Sequence, residues 1–253
     1  MISFLCNICG SSNSLEVIPW EESSCWNCGS NVRLRALIYM LSVELFGESV
    51  TLPRFPEGLG SLKGMGLSDQ LSYAVPLAKK TAYVNTFYDR EPFFDVMAAH
   101  PELYGTYKFI LSADVFEHIP IPVERALEEA YKLLQPDGCL YITVPSSLDE
   151  ETVEHYPNLY QYSIVNLGGC HVLVNRTKDG EIEVHRDLVF HGGPGATLEM
   201  RLFSRRDLTQ KLLSVGFSEV IFQDDPVEEL GIVFGGKWGR PMLARKGKPV
   251  GGC

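Results

Sequence analysis

"YKFILSADVFEHIPIPVERALEEAYKLLQPDGCLYITVPS", residues 107–146, decides how the rest of the chain is read. Residues 107–113 form an apolar run of strand length, ended by Asp114. Pro122 suits the first turn of a helix, and Val123, Leu127, Ala130 and Leu134 fall on one helical face. The turn Pro136-Asp137-Gly138 leads into a second buried run, "CLYITV" at 139–144, closed by Pro145. Strand, helix and strand in this order form a unit whose strands lie parallel in one sheet.

The same alternation continues on both sides. "SLKGMGL" at 61–67 reads as a strand running into a glycine turn, followed by a helical stretch ending "PLAKK". "AYVNTFY" at 82–88 is another strand, with a short element near 93–97. Downstream, "SRRDLTQKLLSVG" carries a Ser204/Asp207 capping box and a Gly216 stop, and "FSEVIFQDD" and "RPMLARK" close the chain as strands. The expectation is an α/β fold with a doubly wound, mostly parallel sheet. One segment departs from it. "CHVLVNRTKDGEIEVHRDLVF" at 170–190 reads as a β-hairpin around Asp179-Gly180. With 145–169 it makes a long insertion after the 139–144 strand, where an insertion overhangs the ligand crevice. It is read as substrate-side.

Upstream, "SNVRLRALIYMLSVELFG" at 30–47 is a helix capped by Ser30 or Asn31, with Leu34, Leu37, Ile38, Leu41 and Leu45 on one stripe. The Pro/Gly-rich "TLPRFPEGLG" at 51–60 follows as a connector. Ahead of the helix, Cys6, Cys9, Cys25 and Cys28 have the spacing C-x2-C-x15-C-x2-C. Four thiolates suit a closed, tetrahedral, structural zinc site, with two disulfides or unligated thiols as the other readings. Residues 1–30 hold Glu16, Glu21 and Glu22 and no Lys or Arg, which argues against a phosphate grip. Arg33 and Arg35 are expected on the helix's solvated face. A protein contact or a substrate lid fits the ribbon better. The expected division is a zinc ribbon at 1–30, a linking helix and connector at 31–57, and an enzyme domain at 58–253.

Composition narrows the function classes. The 253 residues are 45% hydrophobic and 21% charged, with a net charge of -10, so a general grip on nucleic acid or anionic membrane is not expected. No apolar run approaches the ~18 residues of a membrane span. "MISFL" lacks the features of a signal peptide, and the cysteine usage favours reduced thiols, so a cytoplasmic location is expected.

The 107–146 stretch strongly resembles the region after the first motif of S-adenosylmethionine-dependent methyltransferases with the Rossmann-like fold. The matching residues are Asp114-Val115-Phe116-Glu117-His118, then Leu134-Gln135-Pro136-Asp137-Gly138, then Pro145. The resemblance covers roughly residues 60–245, and the paired cysteines are similar to those of a subgroup with an N-terminal zinc ribbon. It implies S-adenosylmethionine as cofactor, with Gly64 and Gly66 against its methionine end. Leu62 stands where an acid is expected and Ser68 where a third glycine is, and Asp69 is a candidate to take over part of the acid's work. Asn85 occupies the place that normally holds the ribose, Asp95 looks like the residue that meets the adenine, and Asp114 and Val115 lie close to the cofactor.

Methyl transfer from a sulfonium needs alignment and exclusion of water, and a base only where the acceptor loses a proton. His118, just past a strand end, and His191, in the glycine-rich "FHGGPG", are the catalytic candidates. Glu117 is read as structural. His155, Tyr156, Tyr160 and Tyr162 either line an acceptor pocket or form a local mini-core. His100, His171 and His185 are read as structural, and Cys139 as a core residue. Arg201 is a candidate for an anionic substrate, whereas Arg205 and Arg206 belong to a helix's solvated start. Cys253 sits in a tail, 246–253, expected to be mobile. The expected function is methyl transfer to a small-molecule or sugar-containing acceptor at oxygen. The alternatives are an RNA methyltransferase and a non-catalytic relative whose ribbon recruits a protein partner.

Overall fold

The computed structural model describes residues 1–193, 195–236 and 239–248. The end of the expected mobile tail, Cys253 included, lies outside the described residues.

β1 (Ile2–Leu5) and β2 (Ser12–Leu15) pair antiparallel. Each CxxC turn ends on a left-handed glycine, Gly10 at φ 77 and Gly29 at φ 70, a conformation a side chain would strain. α1 (Val32–Phe46) starts at Asn31, whose side-chain oxygen accepts from the Leu34 amide at 3.0 Å, and stops at left-handed Gly47. The single stripe read for α1 is only part of its burial. Val32, Leu34, Arg35, Ala36, Leu37, Ile38, Met40, Leu41 and Ser42 are all buried, because the helix is sandwiched between ribbon and sheet.

The sheet follows as β3 (Lys63–Leu67), α2 (Leu71–Lys80), β4 (Ala82–Thr86), β5 (Tyr107–Ala113), α3 (Glu124–Leu133) and β6 (Leu134–Thr143). The element expected near 93–97 is a single 3-10 turn, Val96–Ala98. The expected Pro136-Asp137-Gly138 turn is looped out within β6: Tyr107 pairs with Leu134, and Phe109 already pairs with Cys139. The insertion contains β7 (Ser146–Ser147), β8 (Val153–Glu154), β9 (Gln161–Leu167), β10 (Cys170–Arg176), β11 (Ile182–His185), β12 (Phe190–His191) and β13 (Thr197–Leu198). The chain returns through β14 (Arg201–Ser204), α4 (Arg205–Ser214), β15 (Glu219–Phe222) and β16 (Met242–Arg245). The main sheet has the order β15-β16-β6-β5-β3-β4. β4, β3, β5 and β6 are parallel, and β16 alone runs against its neighbours. This is the expected Rossmann-like α/β architecture.

The hairpin is present as β10 and β11, and β9 extends it to three strands. That third strand was hidden in the sequence because Gln161–Leu167 is exposed throughout and shows no buried alternation.

Two apolar clusters cover the sheet. On one face Met65, Leu67, Ile110, Leu140 and Ile142 pack on α3 and α4. On the other, Phe109, Leu111, Tyr141 and Leu243 pack with α1, α2 and the ribbon residues Cys6, Ile8 and Cys25. The ribbon is therefore seated against the enzyme domain. The expected solvated arginines are corrected here. Arg35 is wholly buried beneath the four cysteines, donating to Ser30 O at 3.0 Å and Gly231 O at 2.8 Å. Arg33, on the same helix, pairs with Asp114 at 2.8 Å.

Candidate active site

A cavity of about 860 Å³ opens at the carboxyl ends of the parallel strands. Its sheet-side wall includes Leu67, Ser68, Thr86, Asp95, Asp114 and Val115, and its roof includes Tyr162, Ile164, His191, Thr197 and Leu198 from the insertion. His118 stands between the two. Of the residues singled out in the sequence, Asp95, Asp114, Val115, His118 and His191 are brought together here. Gly64, Gly66, Asp69 and Asn85 are not among the lining residues.

The glycine turn expected at 64–66 is a correction. Both glycines lie inside β3, and side chains alternate along a strand, so they share the face that carries Phe109 and Tyr83. A β-carbon at Gly64 would fall 2.1 Å from the Phe109 ring, and one at Gly66 would fall 1.9 Å from the Tyr83 hydroxyl. These rings come from the flanking strands and stack over the glycines with centroids 6.0 Å apart. The turn itself is Leu67-Ser68-Asp69, where Ser68 takes the left-handed φ of 55. Leu62 lies at the opposite end of β3, roughly 15 Å from the cavity at strand rise, so its lack of charge does not touch the site.

Asn85 and Asp69 hold that turn together. Asn85 accepts from the Asp69 amide at 2.9 Å and donates to the Asp69 carbonyl at 2.8 Å, which commits its amide to the backbone. The Asp69 carboxylate points inward and accepts from the Tyr83 hydroxyl. Its burial raises its pKa to about 6. Beyond β4, the cavity wall instead continues through Tyr88 and Asp89.

Asp114 follows β5 with φ 57. Its Oδ1 accepts from Arg33 at 2.8 Å and from the Thr143 hydroxyl at 3.0 Å. Asp95 accepts from the Met97 amide at 2.8 Å, which caps the short turn behind it. The 3-10 turn Phe116–His118 carries the next two site residues. Arg201, wholly buried, clamps this turn by donating to Phe116 O at 2.9 Å and Ile119 O at 2.7 Å, while pairing with Glu154 at 2.7 Å. Its role is internal and not toward an anionic substrate. Arg205 pairs with Asp224 and Arg206 with Glu150, at the surface.

His118 Nδ1 lies 2.8 Å from Leu198 O, a carbonyl that only accepts, so this nitrogen carries the proton and Nε2 is free. Burial lowers the His118 pKa. The His191 ring meets the His118 ring edge to face, with centroids 5.6 Å apart. Glu117, read as structural, is wholly buried between them. Burial, reinforced by the nearby Asp114 charge, holds its carboxyl well above the ordinary range. Tyr156 supports the mini-core reading with Leu159, Leu173, Leu198 and Met200, whereas Tyr162 lines the cavity.

The residues present suit a sulfonium nucleoside: Asp89, Asp95 and Asp114 supply negative charge, and Phe94, Val96, Met97 and Val115 an apolar wall. At the ribbon, Cys6 and Cys28 sulfurs lie 3.7 Å apart and those of Cys9 and Cys25 3.6 Å. Four sulfurs each ~2.3 Å from one tetrahedral ion stand about 3.8 Å apart, so the donor set fits such an ion.

The model of a family described as "Methyltransferase domain" matches residues 56–220, a span that contains every strand of the parallel set and most of the cavity wall. The chain belongs to this methyltransferase family. It is an S-adenosylmethionine-dependent methyltransferase of the Rossmann-like class. Solved structures similar to this methyltransferase include three of low identity. One is the Burkholderia thailandensis 1,6-didemethyltoxoflavin-N1-methyltransferase with bound 1,6-didemethyltoxoflavin and S-adenosylhomocysteine, at 16% identity and TM-score 0.42, covering 74% of this chain and 71% of that one. The second is a methyltransferase from Clostridium acetobutylicum ATCC 824, at 11% identity and TM-score 0.43, covering 73% and 84%. The third, from Mesorhizobium loti, has 12% identity and TM-score 0.44, covering 76% and 94%. No curated protein matches the methyltransferase by sequence. Among its described residues no helix is long and apolar enough to cross a membrane.

Proposed function

We propose that this methyltransferase acts on a small hydroxylated acceptor, a metabolite or sugar-containing molecule, and methylates it at oxygen. One observation carries the reading. One cavity has carboxylates at the strand ends on one wall, with His118 beside them and His191 meeting it from the insertion. At about 860 Å³ it lies toward the upper end of small-molecule sites, which suits a cofactor and an acceptor together.

S-adenosylmethionine supplies an activated methyl carbon when bound. Asp95 and Asp89 are proposed for its adenosine, and Asp114 and Val115 for the region near the sulfonium. Gly64, Gly66, Asp69 and Asn85 serve the cofactor by shape: they allow and hold the Ser68 turn. His118 and His191 take charge of the acceptor hydroxyl, and the insertion shields it from bulk solvent. The acidic lining, with Arg90 as the sole Lys or Arg among the described lining residues, supports a small molecule over a nucleic acid. The four cysteines are proposed to hold structural zinc, with Arg35 as the buried counter-charge to their thiolates. We place the enzyme in the cytoplasm, since none of the described cysteines is joined in a disulfide.

Calorimetry with S-adenosylmethionine and S-adenosylhomocysteine, followed by a labelled-methyl screen over hydroxylated metabolites, tests the reading. Binding with label on an oxygen supports it. No binding of either nucleoside at millimolar concentration, or label on carbon or nitrogen alone, overturns it.

A further inference from the structure

Glu117 presents a problem that the methyl-transfer reading leaves unsolved. It is wholly buried, and among the described residues neither carboxylate oxygen has a hydrogen-bond partner. A buried carboxyl is ordinarily paired, because losing water without a replacement is costly. Two imidazole nitrogens face it, His118 Nε2 at 3.6 Å and His191 Nδ1 at 3.9 Å from Glu117 Oε1. Both are too long for hydrogen bonds. They suit two ligands of one ion, since donors ~2.1 Å from a shared metal stand roughly 3–4 Å apart. One atom from each of the three residues lies within 4.8 Å of the others.

We propose that Glu117, His118 and His191 bind a divalent transition-metal ion at the roof of the cavity, and that this ion takes the acceptor's hydroxyl oxygen. The rest of the site is arranged for it. The Nδ1 proton of His118 is donated to Leu198 O, which aims the bare Nε2 at the centre of the three residues, the usual support for a ligating imidazole. β12 and β13, paired through Phe190–Leu198 and His191–Thr197, deliver both His191 and that carbonyl. Arg201 and the Met200 amide, which donates to Glu117 O at 2.7 Å, fix the turn bearing Glu117 and His118. Glu199 Oε1 lies 3.7 Å from His191 Nδ1 as a further oxygen donor. Two imidazoles with carboxylate suit manganese, iron, cobalt or zinc better than magnesium or calcium. His118 and His191 also line the cavity, so coordination positions remain for substrate.

The proposal rests on the oxygen-acceptor reading for its chemistry. A hydroxyl bound to the ion gives its proton to water. The oxygen's electron pair then forms the bond to the methyl carbon, the carbon–sulfur bond breaks, and its pair stays on sulfur as uncharged S-adenosylhomocysteine.

The test is titration of the whole chain as purified, without chelator treatment, with Mn²⁺ followed by electron paramagnetic resonance. Manganese disfavours a four-thiolate site, so the two sites are told apart. The expected result is one bound Mn²⁺, with affinity reduced at least tenfold in Glu117→Gln and in His191→Ala. His191 is half-exposed on the insertion, so its variant remains informative should the buried Gln fail to fold. No bound Mn²⁺ at millimolar concentration, or equal affinity in wild type and His191→Ala, overturns the site. Failure of the methylation reading looks different: Mn²⁺ binds, and neither nucleoside does.

Discussion

The four-cysteine cluster and the Glu117–His118–His191 cluster both gather metal-binding atoms, and they are finished in opposite ways. The sulfurs come from two turns of one local ribbon and match in number a closed tetrahedron, with the Ser30 hydroxyl 3.3 Å from two of them and Arg35 buried beneath. The second cluster joins a strand-end turn to a distant insertion, offers three ligands, and has two of its residues on a cavity. A saturated site can hold chain segments together but has no position for substrate, whereas an open-sided one can take part in chemistry. α1 connects the two regions: Arg35 serves the ribbon, and Arg33, on the same helix, pairs with Asp114 in the cavity.

The sharpest way to break this contrast is to remove ligands from the saturated site. Replacing Cys25 and Cys28 by serine should remove the zinc equivalent assigned to the four cysteines and unfold residues 1–30, because apparent binding energies of structural zinc run to about 10–16 kcal/mol. Cys6, Ile8 and Cys25 share a core with Phe109 and Tyr141, so the melting temperature of the whole protein should fall as well. Elemental analysis and calorimetric melting measure both. Unchanged zinc content would falsify the ligand assignment.

Asp69 gives a prediction with a defined pH window. Its pKa is about 6 in the fold, against about 3.9 in an unfolded chain, so between these values the folded state holds the extra proton. Its contribution to stability is therefore full below pH 4 and lost as pH rises through 6. The loss is on the order of 3 kcal/mol from the shift. Asp69→Asn keeps an acceptor for the Tyr83 hydroxyl and removes this dependence. Chemical denaturation should show the variant gaining on wild type from pH 4 to pH 8. A constant difference across that range would contradict the assignment.

Arg33→Met tests the link between the regions. It leaves the partly buried Asp114 charge without its ion-pair partner, which we expect to cost about 1–3 kcal/mol. Calorimetry should find weaker S-adenosylmethionine binding while cysteine-bound metal is retained. Loss of that metal would show that α1 acts on the ribbon first. The smallest effect is expected at Ser68, whose left-handed backbone costs roughly 1–2 kcal/mol. Ser68→Gly should raise the melting temperature by a few degrees, and a lowered one would mean that the Ser68 side chain contributes contacts outweighing that strain.

Much of this was legible in the residues because it depends on local pattern. The α1 cap and stop, the hairpin around Asp179-Gly180 and the α4 cap at Ser204 are all present. Each is decided by a few neighbouring residues. The glycines misled because a glycine permits two different things, a positive φ or the close approach of another chain segment. Gly64 and Gly66 do the second, and the rings of Tyr83 and Phe109 that require it come from the adjacent strands. Arg33, Arg35 and Arg201 misled for a related reason. An arginine's preference for water is overridden where fixed acceptors meet its guanidinium, and most of those acceptors, such as Asp114, Gly231 O and Phe116 O, lie far along the chain.

By itself, the sequence determined the alternation that makes the α/β sheet, the spacing of the four cysteines, and the strand end at Asp114 where the site begins. These are short-range properties, set by periodicity and turn chemistry. Tertiary structure alone decided that the ribbon is seated on the enzyme domain, that Asn85 and Asp69 brace a turn, and that Glu117 meets two histidines. Those outcomes depend on which surfaces are buried against each other, and burial turns an ordinary carboxylate into one that needs a partner.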